Sequence, residues 1–237
     1  MRIIPVVKYN EDMVRIARVV VPGIPHHITQ RGNRRLQTFF CQEDYNVYLR
    51  LMAEWCSKWK VEVWTYCLMP NHVHLIAVPP SKEALTRAIA EAHRRYTYRV
   101  NLRENWTGHL WQGRFSSFPL NEAHLYTAVQ YIELNPVRAG LVEEPWQYPW
   151  SSAAAHLAGC DDQLARVKPL LEIFGDWREY LTRDIPEKEV QALQRHERTG
   201  RPLGDETFLA NLEETLGRTL RPRKRGPKGP RRKELNE

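Results

Sequence analysis

His72-Val73-His74 sets two imidazoles either side of one apolar residue. In an extended strand alternate side chains share a face. His72, His74 and Ile76 then point one way, and Val73, Leu75 and Ala77 point the other way, into a core. Two imidazoles about 7 Å apart along a strand face can converge on a divalent ion through their distal nitrogens. Two ligands do not complete a site, so a third must come from elsewhere in the chain. Met69-Pro70-Asn71 reads as the turn that starts this strand, which puts both histidines at a loop edge, where sites gather.

Tyr131 and Asn135 are four residues apart and share a helix face. Their helix opens at the cap residue Asn121, with Glu122 in its first turn and Leu125, Val129 and Ile132 as its buried stripe. Pro136 disfavours helical geometry at Asn135 and is expected to end the helix there. Asn135 can offer an amide oxygen to a hard cation, with the Tyr131 phenol beside it. The same pair also suits a plain helix stop and a packed ring; the histidine motif tips the balance toward a site.

The elements that must position these groups follow from periodicity. His26–Arg31 reads as a strand after the Pro22–Pro25 turn. Tyr45, Tyr48, Met52, Trp55 and Trp59 recur at helical spacing over 42–60, with the aromatics facing a core. Residues 61–67 alternate as a strand, and the histidine strand runs to about Val78, where Pro79-Pro80 stops it. Ser81 caps a helix to about Val100 whose outer surface carries Arg87, Arg94, Arg95 and Arg99. Residues 109–115 and 116–120 read as two short extended pieces. Beyond 157, residues 176–181, 187–198 and 205–217 look helical, with a spacing similar to a helix-turn-helix unit.

Composition bounds the class. The 237 residues carry 42% hydrophobic and 27% charged side chains, which suits a globular chain. Cys41, Cys56, Cys67 and Cys160 have no C-x-x-C spacing and read as reduced thiols of a cytoplasmic protein. No apolar run reaches the roughly 20 residues of a membrane-spanning helix, so no membrane partner is expected. Eight Lys/Arg against two Glu in 221–237 hold six of the seven net positive charges. That stretch, with Arg223, Lys224 and Arg225 near its start, reads as a disordered basic tail suited to neutralising phosphates. Met13 is a possible internal start.

Pro70–Leu75 together with Tyr131–Gly140 resembles the single-tyrosine HUH transposases, and among them the REP-associated tyrosine transposases. Gly23–Asn33, Trp111–Phe115 and Trp146–Ser152 fit the same pattern, so the resemblance spans 13–156. It implies an α+β, ferredoxin-like (RRM-like) antiparallel sheet with helices on one face. Residues 157–220 are then a helical extension, possibly DNA-binding, ahead of the tail. The resemblance also implies Mg²⁺ or Mn²⁺ held by His72, His74 and Asn135, with Tyr131 as nucleophile. The substrate it implies is single-stranded DNA with hairpin repeats, cleaved and rejoined through a 5′-phosphotyrosine by a monomer or homodimer. Arg31, Arg34, Arg94, Arg95, Arg99 and Arg114 become candidate backbone contacts, and Trp111 a base-stacking platform. Two competing functions remain: a catalytically silent DNA-binding regulator on the same fold, and a metal-dependent hydrolase that uses water in place of Tyr131.

Overall fold

The computed structural model describes residues 16–221. Within them β1 (His26–Arg31), α1 (Gln42–Lys58), β2 (Glu62–Met69), β3 (His72–Val78), α2 (Lys82–Glu104) and β4 (Ser116–Pro119) form a four-stranded sheet of order β2-β3-β1-β4. Every pairing is antiparallel. This is the ferredoxin-like arrangement expected from the sequence. The rest of the described chain is helical: α3 (Glu122–Glu133), α4 (Asn135–Arg138), α5 (Ala153–Ala158), α6 (Lys168–Phe174), α7 (Trp177–Thr182), α8 (Glu187–Thr199) and α9 (Glu206–Leu216). The expected internal start at Met13 and the tail residues Arg223, Lys224 and Arg225 lie outside the described residues.

Pairing register sorts the side chains onto two faces, because residues opposite each other across a ladder point the same way. Val73, Leu75 and Ala77 pack with Tyr48, Met52, Leu85, Ile89 and Tyr96 of α1 and α2. Ile76, Cys67, Met69 and Phe118 pack instead with Leu125, Val129 and Ile132 of α3. The sheet is therefore covered on both faces, not on one. The second cover follows from composition: α7 and α8 bring Trp177, Tyr180, Val190 and Leu193 to the same core as α3. No separate helical unit of the helix-turn-helix kind forms from 157–220.

Local chemistry sets the ends of these elements. Ser81, Asn121, Asp176 and Asp205 each accept a backbone N–H three residues on, opening α2, α3, α7 and α9. Gly32 sits where β1 leaves the sheet, and its N–H donates to Asn71 O at 2.8 Å. A Cβ on Gly32 would lie 2.1 Å from Leu36 O, so only glycine permits this close approach. Residues 109–115 form no strand of their own, only a bridge between Gly32 and Trp111.

Candidate active site

β3 aims His72 and His74 at the face covered by α3 and α8, and their ring centroids are 5.0 Å apart. Asn71, in the turn before β3, controls His72. Its Nδ2 donates to Arg35 O at 3.0 Å, which leaves Oδ1 facing His72 Nδ1 at 2.6 Å. An amide oxygen only accepts, so Nδ1 carries the proton and Nε2 keeps a lone pair. That is the tautomer a metal ligand requires. Burial, helped by the nearby Arg31 cation, pulls the His72 pKa down to about 4, which keeps the ring neutral.

His74 is 2% exposed. Its Nδ1 lies 3.0 Å from Nε2 of His27, a buried β1 residue two rungs along the ladder, while its own Nε2 is buried without a partner. Burial first, then the neighbouring His72, His27 and Arg31, holds His74 well below its ordinary pKa, and burial alone takes His27 to about 3. His26, next in sequence, serves the fold instead. It takes the Val21 N–H on Nε2 and bonds Ile24 O through Nδ1.

Tyr131 comes from the last turn of α3. Its ring stands edge-on to His74, with centroids 5.7 Å apart and planes at 86°. The Arg138 guanidinium lies 5.0 Å over the same ring. The tyrosine is 7% exposed, and the Gln194 side chain of α8 lies close enough to its phenol to favour the phenolate. Burial and the Glu197 carboxylate raise the Tyr131 pKa, while Gln194, Arg138 and Arg31 act to lower it. α3 ends at Glu133, two residues before Asn135, and Asn135 opens α4 with Pro136 in its first turn. Proline is tolerated there because a first-turn N–H has no intrahelical partner. Asn135 Nδ2 is buried and unpartnered. The two amide ends differ little in shape, so a half-turn exchanges this donor for the oxygen a cation needs.

The donor set fits a divalent ion: a free Nε2 on His72, an orphaned buried Nε2 on His74, and an unsatisfied amide end on Asn135. α8 adds a group that the sequence did not point to. Glu197 Oε1 lies 3.7 Å from His74 Nδ1 and 3.9 Å from His27 Nε2, buried and without a hydrogen bond. Burial pushes this carboxyl up to about 7, against the pull of Arg31 and Arg198.

Residues 20–135 match the family model described as IS200-like transposase. They form an IS200-like transposase domain. A solved REP-associated tyrosine transposase bound to a REP hairpin superposes with a TM-score of 0.53 at 22% identity, over 63% of this chain and 88% of that one. A protein of Deinococcus radiodurans R1 described as a transposase aligns at 20% identity over 51% of this chain and 96% of that one, with a TM-score of 0.36. No curated protein sequence matches the chain. The resemblance read from the motifs is thus met in family and in fold. Glu197 and Gln194 lie beyond the matched segment of the transposase domain.

The candidate DNA contacts separate. Arg31 ends β1 opposite His72, at the rim of the histidine face, and Arg34 is exposed in the turn that follows. Arg94, Arg95 and Arg99 do not lie near the site as expected. α2 packs on the opposite face of the sheet, where Arg94 and Arg95 pair with Glu91 and Arg99 faces Glu43. A helix's polar stripe cannot announce which side of a sheet it will cover. Arg94, Trp111 and Arg114 line a cleft of about 360 Å³ on that side. Trp111 itself is 6% exposed, its ring tilted over His93 at 4.9 Å in the α1–α2 core, so it presents no open stacking face. Arg138, over Tyr131, went unsuspected, because it sits in α4, beyond the break after Glu133.

Proposed function

We propose that this transposase domain cleaves and rejoins single-stranded DNA beside hairpin-forming repeats through a 5′-phosphotyrosine on Tyr131. The juxtaposition that carries this is Tyr131 edge-on to His74, between a histidine motif with free distal nitrogens and the Arg138 cation. His72, His74 and Asn135 would hold the ion. A bound Mg²⁺ or Mn²⁺ would supply Lewis acidity at the scissile phosphate.

Tyr131 Oη attacks phosphorus as the phenolate, forming a P–O bond to tyrosine while the P–O3′ bond breaks and the 3′ oxygen leaves to become a hydroxyl. Arg138 and Arg31 favour the phenolate, against burial and the Glu197 charge. Arg31 at the rim and Arg34 in the turn after it suit the strand's phosphates. A later attack by a 3′-OH on the phosphotyrosine restores a phosphodiester and frees the phenol, so rejoining needs no external energy source. A REP hairpin is what the structural neighbour binds, and a hairpin with a single-stranded flank is the substrate class proposed here.

The test incubates the protein with single-stranded hairpin oligonucleotides taken from repeats near its gene, with Mn²⁺ or Mg²⁺. Denaturing gels should show a covalent protein–DNA adduct that Tyr131→Phe and His72→Ala both abolish. Cleavage without adduct that survives Tyr131→Phe would establish water as the nucleophile. The burial of Tyr131 under α8 favours a second reading, a DNA-binding regulator, and tight hairpin binding with no product would select it.

A further inference from the structure

We infer that His27, His74 and Glu197 form a zinc seat that ties α8 to the sheet and competes with the histidine motif for His74. The three facing atoms are His27 Nε2, His74 Nδ1 and Glu197 Oε1, separated by 3.0, 3.7 and 3.9 Å. The point equidistant from them lies about 2.1 Å from each, the circumradius of that triangle, which is the bond length of Zn²⁺ to imidazole nitrogen and carboxylate oxygen. Glu197 Oε1 is too far from either ring for a hydrogen bond and has no other partner, although it is buried. A shared cation satisfies it and replaces the single hydrogen bond between the two rings.

Ligand chemistry selects the ion. Two imidazoles and one carboxylate suit Zn²⁺, whereas Mg²⁺ prefers oxygen ligands and keeps several waters. The seat joins β1, β3 and α8, so filling it holds α8 across Tyr131, beside whose phenol Gln194 lies. A neutral imidazole offers one lone pair. Zinc on His74 Nδ1 leaves the proton on Nε2, the nitrogen the proposed catalytic ion requires. This competition rests on the function proposed above; the seat does not.

Calorimetric titration with Zn²⁺ tests the seat. Wild type and His72→Ala should bind one ion alike. Glu197→Gln should weaken binding by more than the 10- to 100-fold typical of losing a group that merely supports a ligand. Glu197→Asp, which withdraws the oxygen, gives a second reading should the first variant melt early. Zinc should also slow amide hydrogen exchange across 187–199 in wild type and not in Glu197→Gln. Zinc binding abolished by His72→Ala and untouched by Glu197→Gln would overturn the seat. Mn²⁺ paramagnetic resonance separates the competition: zinc should displace Mn²⁺ from wild type and fail to do so in Glu197→Gln. Displacement in both would overturn the competition, and absence of Mn²⁺ binding would count against the function while the calorimetry judged the seat.

Discussion

Asn71 Oδ1 sits 2.6 Å from His72 Nδ1 while the other end of the same amide donates to Arg35 O. The two bonds leave the amide one orientation, and that orientation leaves His72 one tautomer. Asn71→Ala should therefore lower Mn²⁺ affinity by about 10- to 100-fold, with little change in melting temperature. Asn71→Asp keeps the acceptor and should retain most of the affinity. Titration of Mn²⁺ into the three proteins checks this; equal affinity in Asn71→Ala would show that His72 finds its tautomer unaided.

The difference between what was legible in the sequence and what was not follows from range. Strand alternation put His72 and His74 on one face, and helical spacing gave α1, α2 and α3 within a few residues. Those are local signals, as are the caps at Ser81, Asn121, Asp176 and Asp205. His27 and Glu197 were not legible, because each joins the site through pairing at long range. His27 reaches His74 only once β1 is registered against β3, and Glu197 only once α8 folds over β1 and β4. Arg94, Arg95 and Arg99 were misplaced for the same reason.

Glu133, two residues after Tyr131, is fully buried and holds four partners. Oε1 accepts from Thr65 and Ser152 at 2.9 and 2.7 Å and pairs with His156 Nδ1 at 2.7 Å, and Oε2 accepts from Trp177 Nε1 at 2.9 Å. Burial alone would raise its pKa, but the His156 charge and these hydrogen bonds hold it below the ordinary value. Glu133→Ala orphans the buried Trp177 Nε1, removes the counter-charge of His156, takes one partner from Thr65 and Ser152, and should cost about 3–5 kcal/mol. Urea unfolding checks it; a loss under about 1 kcal/mol would mean that the cluster rearranges freely.

Acid should destabilise the fold through the histidine face. Burial depresses His27 to about 3 and His72 to about 4, and lowers His74 strongly. Their contribution is present above the unfolded value of about 6.5 and is lost as pH falls through that window, because the unfolded chain binds more protons there. Glu197 runs the other way. Raised to about 7, its contribution is present below about 4.5 and lost as pH rises through 7. Three histidines outweigh one carboxyl, so this face should cost on the order of 2–4 kcal/mol between pH 7 and 5, added to the loss from buried His26 and His93, which burial takes to about 4 and about 3. Denaturant melts across that range measure it, and Glu197→Gln, which removes the opposing group, should steepen the decline. A flat profile would mean that the histidines keep near-normal affinity for protons.

Gln194 of α8 stands beside the phenol of Tyr131, which must come clear of α8 before it can meet a phosphate. A polar contact of this kind is worth at most the about 0.5–1.5 kcal/mol of a hydrogen bond, or about 2- to 10-fold in the population of the freed side chain. Gln194→Ala should accordingly speed adduct formation on a hairpin oligonucleotide by that factor, while Tyr131→Phe forms none. Gln194 is exposed, so its truncation should leave the melting temperature within a degree or two. A slower rate in Gln194→Ala would reverse the assignment, making Gln194 the group that aims the phenol at its target. That outcome would place α8 inside the working site, no longer a cover over it.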